Sequence, residues 1–299
     1  MIGIISVNGE ILSLDQAKIS VLDRGFLFGD SIFEVIVGFE KKLLALPEHL
    51  ERLYFSAKKV GISLPWNEKE LFDELTTLAK LATTSKTYVR IVVTRGEGLG
   101  LVPHKTECNK IIYVLPAQET PASIYQQGIS LKTRRSTSFS PGPHEKIAFY
   151  LPSIVAIAEA HKSNFDDVLW VNPLHEITEA STANIFFIGK ESGSVFIETP
   201  SLDSGLLAGI TRKTLLGLMN ENGIECFESA IQSDELAKYD EAFLSSTMRG
   251  LVPIRRIDDK VYATTRKTAF FSRLSAIYLE WAQTQIGKKL DWSHGNPIV

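Results

Sequence analysis

The side chain with the most chemical promise in this chain is Lys146. It precedes the apolar run Ile147-Ala148-Phe149-Tyr150-Leu151 and then a helix opened by Pro152. A lone lysine in such surroundings usually threads its stem past apolar neighbours and keeps its ammonium in water. Desolvation instead favours the neutral amine, which can attack a carbonyl carbon. On the residue alone the first reading is the commoner one. Other groups sit elsewhere in the sequence. Glu179 lies in Ile177-Thr178-Glu179-Ala180-Ser181-Thr182-Ala183-Asn184, and Arg52 lies in His49-Leu50-Glu51-Arg52-Leu53. Gly209-Ile210-Thr211 opens a helix, where unpaired N–H groups and the dipole favour an anion. An ordinary helix start with a threonine in its first turn explains that segment as well. Ser245-Ser246-Thr247 follows.

Short strands and helices must position these groups. Ile2 to Ser6 and Ser31 to Gly38 carry β-branched and aromatic residues and read as strands. From Pro47 to Gly61 the apolar positions Leu50, Leu53, Ala57 and Val60 have helical spacing, ended by glycine. Tyr88 to Thr94 and Ile111 to Leu115 read as further strands. The polar, proline-bearing segment Ala117 to Ser123 separates two apolar runs and sets the expected boundary between a domain over 1–117 and another over 124–299. In the second, a helix is expected from Pro152 to Lys162. Val168–Val171, Ile185–Ile188 and Val195–Ile197 follow as an antiparallel meander, then a helix from Ile210 to about Asn222 closed by Gly223. Phe270, Leu274, Ile277, Tyr278 and Trp281 fall on one face of a terminal helix. Strands grouped with strands predict an α+β, or mixed α/β, two-domain fold. Gly96-Glu97-Gly98-Leu99-Gly100 has GxGxG spacing with no amphipathic helix after it, so it reads as a glycine-rich turn rather than a dinucleotide loop.

Composition narrows the function classes. The 299 residues are 44% hydrophobic and 22% charged with net charge −3, which points to neither nucleic acid nor membrane surface as a partner. Cys108 and Cys226 are far apart and outside any CxxC, which argues against a disulfide framework or a cysteine-based zinc site, and no metal is expected. Two such cysteines fit a reducing cytoplasm. The first residues lack a basic start with a long apolar stretch, so a first strand is expected there rather than a signal peptide.

Seven segments, taken in order, carry a resemblance. They are VLDRGFLFGDSIFEV from Val21, EHLERL from Glu48, YVRIVVTRGEGLGL from Tyr88, KIAFYLPS from Lys146, ITEASTANIFFI from Ile177, LLAGITR from Leu206 and SSTMRGLVPI from Ser245. Together they resemble the class IV aminotransferases, the fold type IV pyridoxal-phosphate enzymes, from about Val7 to about Ile257. The resemblance implies pyridoxal 5'-phosphate as cofactor, held between a smaller N-terminal and a larger C-terminal domain. Lys146 would carry it as a Schiff base and act as general base and acid. Glu179 would keep the pyridine nitrogen protonated. Arg52, Gly209, Ile210, Thr211 and Thr247 would hold the phosphate, and Tyr150 would touch the phenolic oxygen.

The subgroup is read from the substrate side. Tyr88 and Arg90 ahead of GEGLGL resemble the branched-chain enzymes, in which the tyrosine helps hold the α-carboxylate and the arginine meets the side-chain carboxylate of glutamate. Phe33, Thr247 and Met248 complete the implied substrate contacts. A transaminase exchanging the amino group of an apolar, branched-chain-type amino acid with 2-oxoglutarate is the leading expectation. D-Amino-acid aminotransferase and aminodeoxychorismate lyase are the alternatives. Gly100 stands where the D-amino-acid enzymes place an arginine, with His104 a little beyond. Glu34 favours a transaminase over a lyase, while Met248 and Phe149 depart from the branched-chain pattern. The resemblance also implies a homodimer or larger assembly.

Overall fold

Alternation of β-branched and polar residues sets the strands that matter most for the candidate site. The computed structural model describes residues 3–103, 107–265 and 269–287; His104 lies outside them. The chain forms two compact units, Met1–Glu119 with Glu145–Phe149, and Thr120–His144 with Tyr150–Val299. Residues 145–149, expected in the larger domain, fold with the first unit. Ile147 bridges Ile32, the Ala148 N–H donates to the Ser31 carbonyl, and the Phe33 N–H donates to that of Lys146.

The first unit contains β1 (Ile4–Val7), β2 (Glu10–Leu12), α1 (Arg24–Phe28), β3 (Ser31–Phe39), β4 (Lys42–Leu43), α2 (Leu46–Val60), α3 (Glu68–Lys80), β5 (Lys86–Thr94) and β6 (Asn109–Pro116). Its six strands run β2-β1-β6-β5-β3-β4, paired antiparallel. In β5, Thr87, Val89, Ile91 and Val93 are buried, whereas Tyr88 and Arg90 lie on the other face. Ile32, Ile36, Leu50, Leu53, Leu71, Leu75 and Ile91 form the core beneath α2 and α3. Each fully buried leucine there is worth about 1.5–3 kcal/mol. Helix α2 follows its sequence signals: Pro47 in the first turn, Glu48 at the positive end, Lys58 and Lys59 at the negative end. Gly61 ends it at φ 69°, a left-handed conformation that a side chain would strain.

The second unit contains α4 (Ala122–Gln127), β7 (Ile129–Arg135), α5 (Leu151–Lys162), β8 (Asp167–Val171), β9 (Ile177–Ala180), β10 (Asn184–Glu191), β11 (Ser194–Pro200), α6 (Ile210–Glu221), β12 (Cys226–Ser229), β13 (Tyr239–Ser246), β14 (Gly250–Ile257), β15 (Lys260–Val261) and α7 (Phe270–Ile286). The expected antiparallel meander forms as β8-β9-β10-β11, within a nine-stranded sheet that is mixed as a whole. β7 pairs in parallel with both β8 and β14, and the crossover through α5 is what returns the chain to the same end for β8. Strands β10-β13-β14-β7-β8-β9 run in a ring, closed where Asn184 pairs with Glu179. Its apolar clusters include one around Leu169, Phe187 and Tyr239, one around Phe186, Phe243 and Leu274, and a smaller one under α5 around Ala156, Ala160 and Val168. No helix among the described residues is long and apolar enough to cross a membrane.

Candidate active site

Strand β3 divides the chemistry of the first unit between its two faces. Glu34 shares the core face with Ile32 and Ile36, where a bare carboxylate would be costly. It is fully buried and is met from α2 by Arg52 and His49. Arg52 Nε donates to Oε1 at 2.6 Å and Nη2 to Oε2 at 2.8 Å, a two-pronged grip. His49 Nδ1 stands 2.7 Å from Oε2. Burial by itself would push the Glu34 carboxyl up, but the charge and hydrogen bonds of Arg52, with help from His49, hold it at about 2. Burial also lowers the His49 pKa, against the opposing pull of Glu34. His49 is therefore neutral near pH 7, and Nδ1 carries its hydrogen because a carboxylate can only accept.

The opposite face of β3 presents Phe33. Register pairs Val35 with Arg90 and Val37 with Tyr88, so the three side chains Phe33, Arg90 and Tyr88 share that face. The Arg90 guanidinium lies 4.2 Å from the Phe33 ring centre and the Lys146 Nζ lies 4.5 Å from it. Arg90 Nη1 donates to the Tyr88 hydroxyl at 3.4 Å. The backbone of Lys146 is pinned twice: its carbonyl accepts from the Phe33 N–H, and its N–H donates to Ser56 Oγ at 3.0 Å. Ser56 follows Arg52 by one helical turn, so His49, Arg52 and Ser56 form one face of α2.

Arg24 and Asp23 hold the glycine-rich turn. Asp23 accepts from the Gly25 N–H, Thr94 Oγ1 and Asn109 Nδ2, each at 2.7 Å. Arg24 donates to Asp30 at 2.8 Å, to the Gly100 carbonyl at 2.6 Å and to the Leu101 carbonyl at 3.3 Å.

In the second unit Glu179 is half-buried on β9, directly across from Asn184. Asn184 Nδ2 donates to Glu179 Oε2 at 3.3 Å and to the Leu207 carbonyl at 2.9 Å. Helix α6 begins after Gly209, with no side-chain cap and no acidic residue in its first turn, and with Ile210 and Thr211 buried. Arg212 is turned away from this end, donating through Nη2 to the Pro200 carbonyl at 2.9 Å and to Glu228 at 2.6 Å. Thr211 hydrogen-bonds Tyr278 of α7. A Cβ at position 209 would come within 1.9 Å of Asn184 Oδ1, so only glycine keeps this approach open. Thr247 and Met248 occupy the turn between β13 and β14, and the Arg249 carbonyl in that turn accepts from Tyr125 Oη at 2.9 Å. Just before it, Ser245 is buried with its hydroxyl unpaired. Tyr150 stands at the amino end of α5.

The family model for amino-transferase class IV matches residues 31–257. The chain belongs to the class IV aminotransferases. This aminotransferase is 33% identical over 261 residues to a putative branched-chain-amino-acid aminotransferase of Methanocaldococcus jannaschii, covering 86% of this chain and 88% of the relative. It is 30% identical over 258 residues to the D-alanine aminotransferase of Bacillus licheniformis, covering 84% and 87%. Its fold is that of the branched-chain amino acid aminotransferase of Escherichia coli, with a TM-score of 0.86 at 23% identity over 100% of both chains.

The first unit of this aminotransferase thus gathers Lys146, Phe33, Tyr88 and Arg90, with Arg52 gripped by Glu34. The second links Glu179 to the start of α6 through Asn184. Three contributors lie outside the residues that the motifs single out: His49, Ser56 and Asn184. A usable signal existed for His49, since a glutamate on the apolar face of β3 demands polar partners; Ser56 was marked only by its place one turn after Arg52 on α2. For Asn184 the signal was weaker, a polar residue ahead of the apolar run Ile185–Ile188.

Proposed function

We propose that this enzyme uses pyridoxal 5'-phosphate to exchange an amino group between an apolar, branched-chain-type amino acid and 2-oxoglutarate. The observation that carries the reading is the approach of one amine and one guanidinium, those of Lys146 and Arg90, to the ring of Phe33. An amine is what the chemistry consumes and regenerates, and a guanidinium beside it suits a substrate with a second carboxylate.

The residues present fit the cofactor. The uncapped start of α6, with acid absent from its first turn and a glycine at its head, offers N–H donors to a phosphate. In the first unit Arg52 offers a cation of the kind a phosphate takes, its orientation set by Glu34. The buried, unpaired Ser245 hydroxyl next to the Ser246-Thr247 turn marks a place where a polar partner is wanted. Glu179 is assigned to the ring nitrogen and Tyr150 to the phenolic oxygen. When bound, the cofactor supplies an aldehyde for the amino group and a ring that accepts the electrons of the broken α-C–H bond. Lys146 holds that aldehyde and moves a proton to and from the α-carbon. Within the first unit, Tyr88 and Arg90 receive the substrate carboxylates and Phe33 supplies apolar surface beside them.

A D-amino-acid transaminase is the second reading, favoured by the similarity to the Bacillus licheniformis enzyme. Half-reactions followed by absorbance with L-leucine, D-alanine and aminodeoxychorismate separate the possibilities. L-Leucine, followed by turnover with 2-oxoglutarate, is the expected substrate. A spectral change with D-alanine alone overturns the proposed stereochemistry. A homodimer or larger assembly belongs to the same reading, supported by Val21, Phe26, Leu99, Leu101 and Val102, which are 68–80% exposed in the first unit. So does a cytoplasmic location, supported by the free thiols of Cys108 and Cys226.

A further inference from the structure

We infer that Asn184 is a positioning residue that couples Glu179 to the amino end of α6, so that carboxylate and anion donors are set by one amide. This rests on the roles just proposed for those two elements. Asn184 is the first residue of β10 and is 4% exposed. It pairs in register with Glu179 on one side and with Ser245 on the other, at the point where the ring of strands closes.

A carboxamide has two N–H bonds and one carbonyl. Both hydrogen-bonded neighbours of Asn184 Nδ2, the Glu179 carboxylate at 3.3 Å and the Leu207 carbonyl at 2.9 Å, can only accept. The amide orientation is thereby fixed, with nitrogen toward these two oxygens. Its Oδ1 then faces Gly209, leaving no room for a Cβ there. Leu207 lies two residues ahead of Gly209, so the second bond holds the chain that delivers the first N–H groups of α6. Aspartate has the same shape but would set oxygen against two acceptors. Alanine would remove both bonds from these two half-buried acceptors.

The test uses full-length Asn184→Asp and Asn184→Ala, each also combined with Glu179→Gln. Three quantities are measured: the dissociation constant of pyridoxal phosphate by absorbance titration, thermal unfolding with and without the cofactor, and kcat and KM for the amino donor. Loss of one charge-assisted hydrogen bond predicts about tenfold weaker cofactor binding. The loss is expected to be larger for Asn184→Asp, which sets a second carboxylate against that of Glu179. Unfolding of the cofactor-free protein should stay within a few degrees of wild type. In the Glu179→Gln background the effect of the Asn184 substitutions should shrink, as coupling between the two residues requires. Wild-type cofactor affinity in the variants overturns the inference. So does failure of both to fold without cofactor, or an undiminished effect in the Glu179→Gln background, since each marks a merely structural role. Wild-type protein that takes up no pyridoxal phosphate overturns the cofactor reading itself, with Lys146→Ala as its control.

Discussion

Replacing Glu34 by glutamine tests the buried cluster of the first unit. The substitution keeps shape but removes the charge and places an amide N–H₂ against the Arg52 guanidinium, donor against donor. Breaking a buried pair in this way costs about 3–5 kcal/mol. The titration of Glu34 leads to a similar figure. Its carboxyl moves from 4.5 to about 2 on folding, equivalent to about 3 kcal/mol at neutral pH. Because the folded value is depressed, that stability is fully present above 4.5 and is lost as pH falls toward 2. For a unit of this size about 3 kcal/mol corresponds to a fall of about 9–18 °C in Tm. Thermal unfolding by circular dichroism, followed from pH 7 to pH 3, gives the answer. Glu34→Gln should melt well below wild type at pH 7, and the gap should narrow below pH 4.5. A shift under 2 °C at pH 7, or a gap that stays constant across the range, refutes the reasoning. His49 acts in the same direction: burial depresses its pKa, so its contribution is present above 6.5 and is lost on acidification below that.

Two further outcomes follow from the same geometry. Arg24→Ala frees the Gly100 and Leu101 carbonyls and leaves Asp30 with less compensation, so it should cost about 2–4 kcal/mol. It should also speed amide hydrogen exchange over 98–102, and unchanged exchange there would contradict the assigned anchoring. Arg90→Ala should raise KM for 2-oxoglutarate at least about tenfold while changing KM for the apolar amino acid less than about threefold. Equal changes for the two substrates would remove Arg90 from the proposed role.

Local signals made much of this fold legible. Helix α2 runs Leu46–Val60 where Leu50, Leu53, Ala57 and Val60 predicted it, and Gly61 closes it. Helix α6 starts at Ile210, as its glycine and threonine suggested. Long-range pairings were not legible. Residues 145–149 join the first unit through contacts with Ser31 to Phe33, more than a hundred residues away, and nothing within KIAFYL encodes that partner. The parallel pairing of β7 with β8 depends on the path of the crossover, and β9 is four residues long, too short for a periodicity to show. At the candidate site, residue types and motif order pointed to Lys146, Glu179, Arg52 and the α6 start. Their supports were harder to see because each is a single polar side chain, Ser56, His49 or Asn184, whose importance comes from what lies across from it.

Whether the Lys146 amine holds an aldehyde cofactor is read from the absorbance spectrum of purified protein mixed with pyridoxal phosphate. Wild type should develop a band near the edge of the visible that shifts on addition of an amino donor, and Lys146→Ala should lack both band and turnover. A protein that stays colourless, or a Lys146→Ala variant that keeps the band and the activity, would contradict that attachment.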